Sequence, residues 1–297
     1  MPPAVKWAVA GTTAQGKRRA SVAPTALDTL WLNTGTLCNI TCTRCYIESS
    51  PRNDRLEYLR LLEVLPFLDE ARTLGARRVG FTGGEPFLNP ELPAMAEECL
   101  GRGFTVLILT NAMAPMLNKR PELRALRARH GSRLSLRVSL DSHRRAVHDE
   151  ERGAGAFDKA LAGLRWLLSE GFCVSVAGRR FLDEDEAAAR EGFRGLLGQD
   201  LPLTIFPEMD EHADLPEITT ECWKILGKTP ESVMCASERM VVKRKGAAAP
   251  AVTACTLIAY DARFELGSTL REAWRPVSLQ HPHCASFCVL GGASCSR

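Results

Sequence analysis

Residues 28 to about 207 predict an α/β fold built on a parallel sheet. Short apolar runs alternate with longer amphipathic stretches over that whole span. Repeated strand–helix units of this kind imply parallel strands joined by right-handed crossovers. In addition, the residues with most chemistry to offer fall just past the C-terminal ends of the apolar runs, where barrel enzymes collect their working groups. Six strands suit either an incomplete barrel or an open sheet, and periodicity does not choose between them.

The elements follow in order. Leu30–Asn33 is a short strand that ends at a cysteine-bearing loop. Leu56 to Leu74 has helical spacing, with Leu61, Leu62, Leu65 and Leu68 on one side. Pro66 within it implies a kink or a late start, and Gly75 suits the position just past a helix end. Arg78–Thr82 is the second strand and runs into Gly83-Gly-Glu-Pro86; Pro90 to Leu100 is a helix stopped by Gly101. Phe104–Thr110 is nearly all apolar, as a buried parallel strand is. Pro121 to Arg129 is the next helix, and the strand Leu134–Leu140 leads to Asp141. Phe157 to Ser169 is a helix with Leu161, Leu164, Trp166 and Leu168 as apolar contacts. The strand Phe172–Ala177, the helix Glu184 to Leu197 and the strand Leu203–Phe206 complete the set.

The character changes after Pro207. Glu208 to Glu221 is acidic and turn-rich, and from Ser232 onward cysteines gather: Cys235, Cys255, Cys284, Cys288 and Cys295. The chain therefore divides into a mobile arm over 1–27, a sheet domain over 28–210 and a small Cys-rich module over 211–297. The module is too short for a large core of its own, so metal should hold it together. Cys235 and Cys255 flank Met240–Gly246, which reads as half of a hairpin with a Gly turn, and Phe264–Leu270 leads into a short helix.

The chain has 297 residues, 45% of them hydrophobic, enough for a substantial core. A net charge of +3 gives no argument for a nucleic-acid partner. No run reaches the length of a membrane span, and Met1–Trp7 lacks the apolar core of a signal peptide. Eleven cysteines without such a signal point to reduced thiols in a cytoplasmic setting rather than a disulfide scaffold.

Cys38, Cys42 and Cys45 have the spacing C-x3-C-x2-C. Three thiolates can hold a cubane iron–sulfur cluster by three corners and leave one iron open. The rival reading is a structural zinc site, although zinc prefers four ligands, often as two separated pairs. Gly83-Gly-Glu-Pro86 supplies a backbone that a ligand can approach closely. Together the triplet and this second segment resemble the radical S-adenosylmethionine (radical SAM) superfamily.

That resemblance implies a partial (β/α)6 barrel over residues 28 to about 207. It implies a [4Fe–4S] cluster at Cys38, Cys42 and Cys45 whose open iron chelates SAM. Reductive cleavage then releases a 5′-deoxyadenosyl radical that abstracts a substrate hydrogen, in a mouth poor in water. Tyr46 is placed near the adenine. Gly83, Gly84, Glu85 and Pro86 form the edge that binds the SAM amino group, with Glu85 as the contact. Asn111, Ser139 and Arg179 are candidates for the rest of SAM. Asp141 and Arg152 are candidates for catalytic roles near the substrate; the alternatives are a turn cap for Asp141 and a surface position for Arg152.

The tail resembles a SPASM or twitch module. It offers five thiols for one auxiliary [4Fe–4S] cluster, which needs four, and zinc is the alternative occupant. The expected substrate is a small molecule or cofactor precursor, because no N-terminal domain is large enough to grip a leader peptide. The alternative is a maturase acting on a ribosomally made peptide or protein. A reading of another class is a non-catalytic iron–sulfur or zinc protein. The reductant expected is a flavodoxin or ferredoxin, with neither nucleic acid nor membrane as partner. Cys99 and Cys173 lie on apolar stretches and read as small hydrophobes. Cys222 has no partner spacing, and His143, His148, His281 and His283 read as solvated or structural.

Overall fold

The computed structural model describes residues 6–181, 184–198, 200–207 and 213–296. A short strand, β1 (Ser21–Val22), pairs antiparallel with β11 (Val277–Ser278). Six parallel strands then run side by side in chain order: β2 (Thr29–Asn33), β3 (Arg78–Thr82), β4 (Thr105–Thr110), β5 (Leu134–Ser139), β6 (Cys173–Arg179) and β7 (Leu203–Phe206). All six expected strands are present. The crossovers are α1 (Leu61–Thr73), α2 (Leu92–Gly101), the single turn α3 (Ala114–Leu117) with α4 (Arg120–His130), α5 (Arg145–Arg152) with α6 (Ala156–Ser169), and α7 (Glu186–Leu197). Among the described residues the sheet does not close, since β7 pairs only with β6. The architecture is the expected α/β partial barrel.

Local chemistry explains most boundaries. All of β2 is buried, as a central parallel strand requires. The Trp31 ring lies over Gly80 on the neighbouring strand, where a Cβ would sit 2.4 Å from its carbons, so only glycine fits there. Asp185 caps α7 by accepting the Ala188 N–H at 2.7 Å. Pro66 does not break α1: the helix starts late, at Leu61, and carries Pro66 inside it on its exposed side. The buried face of α1 is Val64, Phe67, Leu68 and Ala71, whereas Leu62 is exposed, which corrects the leucine stripe. Cys99 is buried as expected, but Cys173 opens β6 on the solvent side.

The tail does not stand apart from the sheet. β8 (Glu238–Val242) lies parallel to β2, with Thr29 opposite Glu238. β9 (Ala251–Thr253) and β10 (Glu265–Gly267) extend the same sheet antiparallel, so the expected hairpin is β8–β9. Glu238 is buried and accepts the Trp31 Nε1–H at 2.6 Å, joining the tail to the barrel interior. Two short helices, α8 (Cys222–Leu226) and α9 (Leu270–Ala273), and a π-helical segment over Cys284–Leu290 complete the described tail. The described end of the N-terminal arm is packed rather than mobile: Arg19 is buried against Glu217 and donates to the carbonyls of Val9 and Thr12. The boundary at 210 and the start of the acidic stretch at Glu208 lie outside the described residues.

Candidate active site at the C-terminal ends of the strands

The loop after β2 carries the cysteine triplet and is tied down along its length. The Cys38 N–H donates to the Ser50 carbonyl at 3.1 Å, and the Thr43 N–H to the Glu151 carbonyl at the end of α5 at 2.8 Å. Tyr260 of the tail donates to the Ile47 carbonyl at 2.8 Å. These ties aim Cys38, Cys42 and Cys45 at one cavity of about 170 Å³. Burial pushes the Cys38 thiol up to about 12 and raises Cys42 as well. Without a metal both stay protonated, so loading must displace protons. Asn111, after β4, brings its amide to 3.9 Å from the Cys38 sulfur and to 2.8 Å from Asn39 Oδ1.

Gly83, Gly84 and Pro86 line the same cavity. The reason for the glycine pair differs from expectation. A Cβ on Gly83 would sit 2.4 Å from the Gly35 carbonyl oxygen, and one on Gly84 2.2 Å from that of Leu37. The Gly84 and Glu85 N–H groups donate to those same carbonyls, at 2.9 and 3.1 Å. The backbone that approaches is therefore that of the cysteine loop, which the pair receives.

Glu85 departs further from its expected role as the SAM contact. Its carboxylate is buried and does not line the cavity. It accepts the Asn111 N–H at 2.8 Å, the Thr110 hydroxyl at 2.9 Å and the Phe87 N–H at 3.2 Å. Burial lifts this carboxyl to about 7 despite those donors. In this structure Glu85 braces the turn after β3 against the end of β4.

Ser139, Asp141, Arg152 and Arg179 all reach the cavity, as expected. They arrive as a network. Arg152 forks onto both Asp141 oxygens at 2.7 and 2.8 Å, and Arg179 lies 3.7 Å from Asp141 and 3.3 Å from Glu151. Burial pushes the Asp141 carboxyl up, but the Arg152 charge outweighs it and holds the group at about 2. Asp141 is thus a permanent anion that holds a guanidinium, not a proton acceptor. Beneath it, the Asp141 N–H donates to His148 Nδ1 at 3.2 Å, which makes His148 a structural support. The sequence reading missed Glu151, although it adjoins Arg152. It missed Arg137 too, which is buried in mid-strand and donates to the Cys295 carbonyl at 2.7 Å.

The five tail cysteines divide. Cys235, Cys255, Cys284 and Cys288 line one small apolar cavity with Phe264 and Leu257. Cys295 instead lines the main cavity, where the Thr256 hydroxyl donates to its sulfur at 3.2 Å. Its inclusion among the tail's metal ligands is not supported by this placement. Tyr46 lines the main cavity together with Cys45 and Cys295. Leu257 lines both cavities.

The donor sets fit iron–sulfur clusters. Three thiols on one open cavity match a cubane with a free corner, and four on an apolar cavity match a fully ligated one. A zinc ion would draw four sulfurs within about 2.3 Å of one point. Among the described residues no three Cys, His, Asp or Glu side chains gather tightly enough for a single metal ion.

Comparison with known proteins agrees with this geometry. The sequence profile of the radical SAM superfamily matches residues 32–187, just over half of the chain, and the chain belongs to that superfamily. It is similar to the antilisterial bacteriocin subtilosin biosynthesis protein AlbA of Bacillus subtilis, at 31% identity over 144 residues, 47% of this chain and 30% of that protein. It is similar to the AdoMet-dependent heme synthase of Methanosarcina barkeri, at 33% over 142 residues, 47% of this chain and 38% of that one. The matched region thus spans about a third of these curated relatives. Among solved structures, native anSMEcpe with bound AdoMet superposes with a TM-score of 0.61 at 14% identity, covering 86% of this chain and 82% of that one. SuiB of Streptococcus suis bound to its precursor peptide SuiA gives 0.59 at 11%, covering 84% and 65%. At such identities the likeness speaks to the fold alone.

Proposed function

We propose that the protein is a radical SAM enzyme that abstracts a hydrogen atom from a peptide substrate, with an auxiliary iron–sulfur cluster beside the reaction cavity. The observation that carries this is the convergence of Cys38, Cys42 and Cys45 with Asn111, Ser139 and Asp141 on one cavity at the strand ends. When bound, a [4Fe–4S] cluster and SAM supply one-electron cleavage of the sulfonium and a carbon-centred radical. The chain's own residues do the rest. The triplet would hold three irons. Tyr46 gives an aromatic surface, and the backbone of Gly83 and Gly84 is free of side chains. The Asp141–Arg152–Arg179–Glu151 network fixes charge at the mouth. Cys235, Cys255, Cys284 and Cys288 would hold the auxiliary [4Fe–4S] cluster.

Support for a peptide comes from similar proteins named for bacteriocin biosynthesis and for maturation, AlbA and the mycofactocin maturase MftC of Mycobacterium tuberculosis. A small cofactor precursor is the second reading. It is favoured by similarity to the GTP 3′,8-cyclase of Rhodococcus opacus, at 27% over 221 residues and 64% of this chain. The electron source would be a flavodoxin or ferredoxin. A cytoplasmic setting agrees with eleven free cysteines, and no described helix is long and apolar enough to cross a membrane. The test is Cys42→Ala, reconstituted without oxygen and reduced with SAM. The expected result is no 5′-deoxyadenosine, because two thiolates do not hold an open-cornered cubane. A yield equal to that of the unmodified protein would sink the assignment.

A further inference from the structure

Ser49 lies four residues past Cys45 and belongs to none of the groups above. It is 4% exposed, it lines the main cavity, and its hydroxyl has no hydrogen-bond partner. An unsatisfied buried hydroxyl is unfavourable, so this position calls for an acceptor from whatever fills the cavity. Its backbone narrows the choice. The Ser49 N–H already donates to the Cys45 sulfur at 3.4 Å.

A strained residue imposes this arrangement. Glu48 has φ of 51°, a left-handed conformation unusual for a side chain of its kind. Its N–H closes a turn on the Cys45 carbonyl at 2.9 Å. Asn53 holds its carbonyl at 2.9 Å, and Arg55 pairs with its carboxylate. The chain is thereby bent back so that the Ser49 N–H faces the Cys45 sulfur, while its hydroxyl lines the cavity. Backbone strain held by neighbouring contacts concentrates where position matters for function.

We infer that Ser49 tunes the reduction potential of the iron–sulfur centre built on Cys45, its hydroxyl and its N–H both donating to sulfur of that centre. Hydrogen bonds to cluster sulfurs stabilise the reduced, more negative state and raise the potential. Ser49 acts through the cluster and is a positioning residue. The inference rests on the cluster reading above.

The experiment uses the full chain, reconstituted with iron and sulfide. The SAM-site signal is identified in electron paramagnetic resonance by its response to added SAM. Its midpoint potential is then measured by redox titration without SAM. Ser49→Ala should shift the potential to more negative values with iron content unchanged, and Ser49→Thr should restore it. Ser49→Val, equal to threonine in shape but without the hydroxyl, gives the same comparison if alanine loads iron poorly. Equal potentials for the threonine and valine variants, both fully loaded, would overturn the inference. Failure of the unmodified protein to show any SAM-responsive signal would instead defeat the cluster reading.

Discussion

Replacing Glu85 with alanine separates two roles for one carboxylate. If Glu85 contacts SAM, the change costs affinity and leaves the fold alone. If it braces the turn, the change costs stability first. The structure favours the brace, because three donors already occupy the carboxylate and it is buried away from the cavity. Alanine would strand the N–H groups of Phe87 and Asn111, both in buried residues. Each stranded buried donor costs about 1–3 kcal/mol. Against that, Glu85 is itself strained by burial, which lifts its carboxyl to about 7. Removing it returns part of the loss, so a net cost of about 2–4 kcal/mol is expected. For a chain of this length that lowers the melting temperature by roughly 3–6 °C. The pH dependence gives a second readout. The raised carboxyl keeps a proton in the folded state that the unfolded chain has released between about pH 4.5 and 7. Its contribution to stability therefore falls as pH rises through that window, and the alanine variant should lack this fall. Melting curves of the metal-free protein across that range, with calorimetry of SAM binding after reconstitution, decide the matter. A variant that melts with the unmodified protein yet binds SAM tenfold more weakly would refute the brace and restore the direct contact.

Two further outcomes follow from the site. The combined alanine variant of Cys38, Cys42 and Cys45 should retain about four irons per chain after reconstitution; adding Cys288→Ala should abolish them and adding Cys295→Ala should not, and loss of iron in the latter would place Cys295 among the ligands. His148 accepts the Asp141 N–H through its unprotonated Nδ1, and burial, aided by the Arg152 charge, lowers its pKa to about 4. Its contribution is complete above its ordinary value of about 6.5 and is lost as pH falls toward 4. His148→Gln, whose carbonyl can take the same N–H, should lose less stability than the unmodified protein between pH 6.5 and 5, and parallel melting curves would remove His148 from that role.

How far the sequence was legible depended on what each feature requires. Periodicity is local, so the six parallel strands and the strand ends bearing Cys38, Gly83, Asn111 and Asp141 stood out. β9 and β10 are three residues each, too short for any period, and the tail's place in the main sheet depends on β8 reaching β2 across two hundred residues. The charged segment Arg145–Arg152 concealed α5, whose buried residues are His148 and Glu151 rather than an apolar stripe. Motifs give positions but not directions. Gly83-Gly-Glu marked the right place, yet a spacing rule cannot say that Glu85 turns inward, or that the glycines admit the Cys loop. The same limit explains the tail. Five thiols in sequence are equivalent, and only packing sets Cys295 on the main cavity with four others behind Leu257. That division has a chemical consequence: the four thiols of Cys235, Cys255, Cys284 and Cys288 would fully ligate the proposed cluster and leave it no open iron, so it would exchange electrons with the substrate rather than ligands.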